Sequence, residues 1–399
     1  TVCGTATGLV NNLRKTYPNN LIELTGGFKR QLETLDKIDI ITDLTSEVLF
    51  QNIAKIPNVV ITAVSDTIST VKIPNQPLIQ VYFTTKTQFY KDLFLTSASQ
   101  EFLDAFHEQY AIPDTLENEE AIFTLNKLAF IPAPLREQAS VLQRATQESE
   151  IVLIQPHDIK GIIHSHSTWS DGAESIAQMA TVARTQGYEY LVISDHSQAA
   201  YYARGLKPEQ VVAQHKEIEA LNSTNAPFHI FKSIEADILN DGALDYDDAI
   251  LSSFDLVIAS VHSNLKMHLD KAMARIMKAV ENPYTSILGH PTGRLLLSRE
   301  GYPVDHKALI KACATYQVVI EINANPHRLD LDWRWIELAL SEGVLLSVNP
   351  DAHSTAGFQD VFYGTMVAQK GGLTKEHNLS SYNLEAFKWF VEGQQAKRP

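Results

Sequence analysis

The sequence carries two cysteines in 399 residues, Cys3 and Cys313, too few and too far apart for a disulfide framework. No apolar run is long enough to span a bilayer, and no basic start followed by an apolar stretch marks a signal peptide. No membrane partner is expected, and a cytoplasmic location is the default for such a chain. Positive charge is also scarce. Lys and Arg number 33 against 47 Asp and Glu, a net charge of -14, so the surface as a whole is not one that draws nucleic acid. A local basic patch, or cations bound to the acids, leaves a DNA substrate open. The glycines of Gly4-Thr5-Ala6-Thr7-Gly8 lack the Gly-Lys-Ser or Gly-Lys-Thr ending of a phosphate-cradling loop. The chain opens on Thr1 rather than methionine, which leaves room for a further domain upstream.

What is present reads as an ordinary soluble α/β chain, 44% hydrophobic and 20% charged. Its length calls for two domains with a connector. Residues 1–95 alternate short strands (20–25, 38–42, 59–64, 71–73, 77–84) with helical stretches at 9–17 and 48–53, giving a small α/β sheet domain. Residues 96–157 read as helices at 101–110 and 119–128, a rigid Pro132-Ala133-Pro134 turn and a connector. Residues 158–399 change to repeated units of an apolar strand, a polar tip and an amphipathic helix. Seven strands, 161–164, 190–194, 229–234, 256–260, 286–288, 318–322 and 345–348, predict a parallel β/α barrel with its active groups at the C-terminal strand ends.

The tips carry the chemistry. They read His164 with His166, Asp195-His196, Glu235 with Asp237, His262, His290, Glu321 with Asn323, and Asp351 with His353. In GIIHSHSTWSDG, His164 and His166 are two apart and so share a strand face, and Asp171 can fold back beside them. Taken alone, that stretch is equally consistent with capped or surface histidines. Every strand, however, delivers an ionisable or amide group at the same edge. Imidazoles with a few carboxylates suit Zn, Mn or Fe better than Ca, and the candidates exceed what one tetrahedral ion needs, so a cluster of two or three ions is expected. Such ions can bind both non-bridging oxygens of a phosphate ester, lower the pKa of a bound water and steady the leaving alkoxide. Amide hydrolysis uses similar ligands, but no carbamylated lysine or shuttle carboxylate stands out.

HSHSTWSDG, SDHS, Glu235, SVH, GHPTGR and DAH, in this order, resemble the polymerase and histidinol phosphatase (PHP) phosphoesterase family. The likeness is to the PHP domain of bacterial family X DNA polymerases. It extends through HPTGRLLLSREGYPVD and EINANPHRLDLDWRW and covers nearly all of residues 158–390. The resemblance implies metal ligands at His164, His166, Asp171, His196, Glu235, His262, His290, Asp351 and His353, with three divalent ions and Glu235 bridging two of them. Catalysis would then rest on a metal-activated water rather than a nucleophilic side chain. Arg204, Lys266, Arg294, Arg299 and Arg328 lie just past strand ends, where they can hold a second phosphate, and Tyr201, Tyr202 and Trp169 can stack on a base. Arg294 and Arg328 match the family pattern.

The first domain is similar to the nucleotidyltransferase palm of the same polymerases, through Leu24 to Arg30 and Asp36 to Asp39, and Phe123 to Glu137 resembles their thumb. A polymerase needs three carboxylates around two ions. Here Lys37 stands for the first acid, Asp39 remains, Gln80 occupies the third position, and Gly27, after Gly26, replaces a serine. Asp36 cannot rescue the pair, because residues three apart on a strand face opposite ways. The palm is therefore expected to be degenerate and unable to add nucleotides. The leading expectation is a metal-dependent phosphoesterase, a 3′-5′ exonuclease or DNA 3′-end-processing enzyme in repair. Its alternatives are a small-molecule phosphatase of the histidinol phosphatase type, a DNA-binding scaffold, and an active family X polymerase.

Overall fold

A computed structural model describes residues 2–399, with the side chains of Val2 and Cys3 outside the described set, and the chain forms two compact units, Thr1–Val152 and Leu153–Pro399. In the first unit, strands β1 (Ile22–Thr25), β2 (Lys37–Thr42), β3 (Val60–Ser65), β4 (Ile68–Lys72) and β5 (Leu78–Phe83) form one sheet in the order β1-β2-β5-β4-β3. Only β2 and β5 run parallel; the other neighbours are antiparallel. Ala6 and Val10 of the helix Val2–Thr16, with Leu49 of the helix Ser46–Ile53, cover one face through Ile22, Ile38, Ile40, Ile79 and Val81. The helices Phe89–Thr96, Gln100–Gln109, Glu120–Leu125 and Ser140–Gln147 complete the unit. Their buried rings, Phe94, Phe102, Phe106 and Phe123, pack edge-on or stacked at 5.2–6.1 Å. Arg136, wholly buried, sits over Phe94 and Phe123 and pairs with Glu119 at 2.5 Å.

The second unit is the expected barrel. Seven strands, β6 (Gly161–Ser165), β7 (Tyr190–Ile193), β8 (His229–Asp237), β9 (Leu256–Ser260), β10 (Thr285–Leu288), β11 (Val319–Asn323) and β12 (Leu346–Asn349), lie in chain order and all parallel. Alternation along each strand divides the side chains into two sets. Ile162, Leu191, Ile230, Val257, Ile320 and Val348 pack outward under helices such as Ile176–Thr185 and Leu269–Glu281. Ile163, Tyr190, Val192, Phe231, Ile258, Ile287 and Val319 point inward and fill the lower barrel, plugged by Phe387 and Val391 of the helix Leu384–Gln395. Tyr190 stacks on Phe387 at 4.3 Å, and a fully buried ring of this kind contributes about 2–3 kcal/mol.

The seam between β12 and β6 is closed in two places. At the top, the backbone of Ala352 donates to the carbonyl of His164 (3.1 Å) and accepts from His166 (2.8 Å). Lower down, the Asn378 side chain accepts from the backbone of Val348 (2.9 Å), and the Ser380 carbonyl accepts from Lys160 (2.7 Å). The C-terminal region thus supplies the strap that the seventh strand alone does not.

Candidate metal centre

The inward set becomes polar as each strand rises. On β8 the inward positions run Phe231, Ser233, Glu235 and Asp237; on β11 they run Val319, Glu321 and Asn323. Apolar side chains floor the barrel and titratable ones crown it. Gly289 follows from the same geometry, since a Cβ there would lie 2.3 Å from Ser260 Oγ. Strand β6 departs from simple alternation. Ile163 already faces inward, so His164 should face out, but the pairing with β7 slips between Ile162 and Ser165 and His164 takes φ +67°. This bulge turns its imidazole back into the barrel, a use of irregularity common beside active sites. Asp351, at φ +50°, is another left-handed residue of the centre.

Glu235 is the hub. Its Oε1 lies 3.0 Å from His262 Nε2, 3.0 Å from His290 Nε2 and 3.3 Å from His164 Nε2, while Oε2 lies 3.1 Å from His196 Nδ1 and 3.6 Å from His166 Nε2. Asp351 Oδ1 approaches His166 Nε2 at 3.1 Å and His164 Nε2 at 3.4 Å. Asp171 Oδ1 is 3.4 Å from His353 Nε2 and 3.7 Å from His196 Nε2. Ligand atoms thus gather, within 4.8 Å in each case, as His166, Asp171, His196 and His353; as His164, His166, Glu235 and Asp351; and as His196, Glu235 and His262. His290 joins through Glu235. All nine residues marked in the sequence meet around one small volume.

The chemistry of this donor set fits cations. Although they approach one another, His164 Nε2, His166 Nδ1, His196 Nδ1 and Glu235 Oε2 are buried with no aligned hydrogen bond among the described residues, which is costly for atoms of this kind unless a ligand satisfies them. Burial alone would strip the imidazoles of protons, yet Glu321, Asp351 and Glu235 hold His164 well above its usual range. Against the same burial, Glu235 and Asp237 carry His262 up to about 10, and Asp171 and Asp351 carry His353 to about 9. Burial and the neighbouring His166 push His196 down to about 4. The carboxylates demand positive charge among them, which divalent ions held by these residues would supply in place of protons.

A supporting layer fixes the rings. Glu321 accepts from His164 Nδ1 (2.6 Å), the His290 backbone (2.8 Å), Asn323 (3.1 Å) and Asn349 (2.9 Å). Asp237 holds His262 Nδ1 at 2.6 Å. Asp195, wholly buried, accepts from the hydroxyls of Ser167 and Ser170 and from Gln214, pinning the loop between His166 and Asp171. The sequence marks these carboxylates as strand-tip groups but not as supports, because one that faces an ion and one that orients an imidazole look alike in one dimension.

The basic residues at the mouth separate by their partners. Arg294 is engaged by Asp332 (2.5 Å) and by the carbonyls of Arg328 (3.0 Å) and Leu329. Arg299 donates to the Gly293 carbonyl at 2.8 Å, and Arg328 Nε approaches Asp351 Oδ2 at 3.7 Å. Arg204 and Lys266 are exposed. Tyr202, 61% exposed, has its ring 6.4 Å from that of His196, and Tyr201 is 85% exposed; Trp169 is half-buried and donates to Glu217 (2.8 Å).

In the first unit, Lys37 and Asp39 share a face of β2, and Gln80 is the partner of Asp39 across β5. Lys37 Nζ lies 2.9 Å from Asp39 Oδ1, and Gln80 donates to the Tyr82 hydroxyl. Gly26, at φ +60°, lets the backbone pass where a Cβ would sit 2.1 Å from Asp39 Oδ2. Gly27 is buried at the start of the short helix Gly26–Lys29.

No family model matches the chain. Over 278 residues, 70% of the chain, it is 40% identical to the DNA polymerase/3′-5′ exonuclease PolX of Bacillus subtilis, and it spans about half, 48%, of that relative's length. It is 29% identical over 173 residues to a probable phosphatase of Caldanaerobacter subterraneus, covering 40% of this chain and 60% of that protein. A probable phosphatase of a Thermoanaerobacter species is 25% identical over 233 residues, 55% of this chain and 89% of that one. Among solved structures, the histidinol phosphate phosphatase of Lactococcus lactis, crystallised with zinc, L-histidinol and phosphate, covers 54% of this chain and 95% of its own at 16% identity and TM-score 0.40. The identity to PolX and the likeness to the phosphatases together make this a PolX-like chain with a PHP domain.

Proposed function

We propose that the chain is a metal-dependent phosphoester hydrolase that shortens or processes the 3′ ends of DNA. The observation that carries this reading is the overlap of three ligand groups through the shared residues His166, His196 and Glu235, each group large enough to hold one ion. Zn, Mn or Fe bound there would supply Lewis-acid activation of water and of the ester, and charge for the departing alkoxide. The chain's own residues do the positioning. Glu321 and Asp237 hold two imidazoles in orientation, and Arg328 beside Asp351 is placed to hold a phosphate oxygen.

DNA is favoured as substrate by the 40% identity to a relative named as a polymerase and 3′-5′ exonuclease. In this reading residues 158–399 carry the hydrolase, residues 1–95 a palm that no longer adds nucleotides, and residues 96–157 a thumb and connector. Lys37 supports loss of polymerisation: its ammonium beside Asp39 repels the ions a palm must hold. A second reading, hydrolysis of a small phosphate ester, is favoured by the likeness to probable phosphatases. The test is hydrolysis of a labelled oligonucleotide beside histidinol phosphate, with Mn supplied and His164→Ala as control. Stepwise 3′ shortening that the variant lacks supports DNA processing. Cleavage of the small ester alone moves the chain to the second reading, and cleavage of neither overturns both.

A further inference from the structure

Strand β10 leads through His290, a member of the centre, into a loop whose tip is a tight turn. The backbones of Leu295 and Arg299 exchange two hydrogen bonds of 2.8 Å, Ser298 donates to Leu295 at 3.0 Å, and Leu296 donates to the His327 carbonyl at 2.6 Å. Arg294, tied to Asp332, and Arg299, tied to Gly293, fasten the base of the turn. At its apex Leu297 is 94% exposed, the most exposed large apolar side chain among the described residues, while its neighbour Leu296 packs on the core.

Leu297 also takes φ +61°, a region that favours glycine and strains a leucine. The backbone strain works against folding stability, and strain of this kind clusters at ligand clamps and active sites. Tyr201 and Tyr202, both exposed, follow β7, three strands round the seven from β10, and so rise from the far side of the barrel mouth. Arg299, two residues past the apex, donates to the Gly293 carbonyl (2.8 Å), so a guanidinium, a group suited to phosphate, stands at the turn.

We infer that Leu297 is a wedge that separates and holds the terminal base of a DNA strand while its phosphate enters the centre. Nucleic-acid-binding proteins use exposed apolar side chains in this way, pushing them between bases and lowering the cost of unstacking. The inference deepens the DNA reading above and rests on it. The wedge sets a preference: with it, a paired 3′ end can be opened and threaded; without it, only an end already single-stranded enters readily.

The test uses the full chain and the variants Leu297→Gly and Leu297→Met. Glycine suits the left-handed apex, so this variant is expected to melt at or above the native temperature while losing the wedge; methionine keeps an apolar apex. The readouts are the fluorescence rise of 2-aminopurine placed at the paired 3′ end of a duplex, and the shortening rates of that duplex and of the single strand with Mn. The expected result is a rise lost in Leu297→Gly and kept in Leu297→Met, with duplex shortening slowed about ten-fold by glycine and single-strand shortening changed less than about two-fold. Equal slowing on both substrates, or a native fluorescence rise in Leu297→Gly, overturns the wedge. Base opening by the native chain without any shortening overturns the nuclease reading and leaves the wedge standing. No opening by the native chain overturns the wedge outright.

Discussion

The ammonium of Lys37 lies 2.9 Å from Oδ1 of the buried Asp39, on one face of β2. In the palm proposed above, a side-chain cation thus occupies ground that a polymerase leaves to divalent ones. Lys37→Met removes the nearer of the two cations acting on Asp39, leaving Arg30, and a fall of about 1–2 kcal/mol in stability is expected from urea denaturation. Asp39→Asn in the same background should recover most of it. Primer extension by the native chain should stay at background, and nucleotide addition should require acids at both Lys37 and Gln80.

Arg136 and Glu119 pose the opposite case, an ion pair buried among rings. Arg136 also donates to the Ile131 carbonyl (2.8 Å) and to Ser97 (3.2 Å), three directions that only a planar guanidinium serves together. Arg136→Met leaves Glu119, among the described residues, with only Lys29 (3.3 Å) and Ser97 (3.3 Å) and should destabilise the first unit by about 3 kcal/mol. Arg136→Lys should recover less than half. Thermal unfolding followed by circular dichroism reads both.

Glu321 touches two residues of the centre without being one of the nine. Glu321→Gln keeps its shape but removes the charge that holds the proton on His164 Nδ1. Affinity for Mn or Zn, measured by competition with a chelating dye, should fall about 10–100-fold. An unchanged affinity would show that the barrel wall alone sets the angle of His164.

His215 is buried edge-on against Phe254, ring centroids 4.9 Å apart, and burial followed by Lys232 lowers it from 6.5 to about 4. In the unfolded chain it protonates near 6.5, so between these values the unfolded state binds more protons. Its contribution is therefore complete above about pH 6.5 and lost as pH falls toward 4, by about 3 kcal/mol at most. His215→Phe should flatten that part of the stability profile, as read by melting temperature against pH.

The barrel was legible because each strand is an apolar run that stops at a titratable tip, and β8, with Glu235 and Asp237 after Phe231, shows the rule most clearly. The agreement at His164 has a different cause from the one the spacing implies. Two residues apart on a regular strand, His164 and His166 would share a face; in the structure a bulge and a left-handed φ bring them together. Neither leaves a mark in the residue types. The partner of Arg294 was equally hidden, since Asp332 follows a whole strand and helix later, and a salt bridge across loops has no local signature. The helices Phe89–Thr96 and Ser140–Gln147 were missed as separate elements because short amphipathic stretches without caps resemble a connector.

The strap at the barrel seam sets an order of events during synthesis. Lys160, at the foot of β6, finds its backbone acceptor only at Ser380, and His164 and His166 are bridged only by Ala352. Until the ribosome has passed these residues, the first two histidines of the centre stand on an open ribbon, and an ion captured then would meet a fraction of its ligands. The ring therefore closes late and over long sequence separations, which slows folding. Loading with the correct ion becomes a property of the finished barrel rather than of the nascent strand.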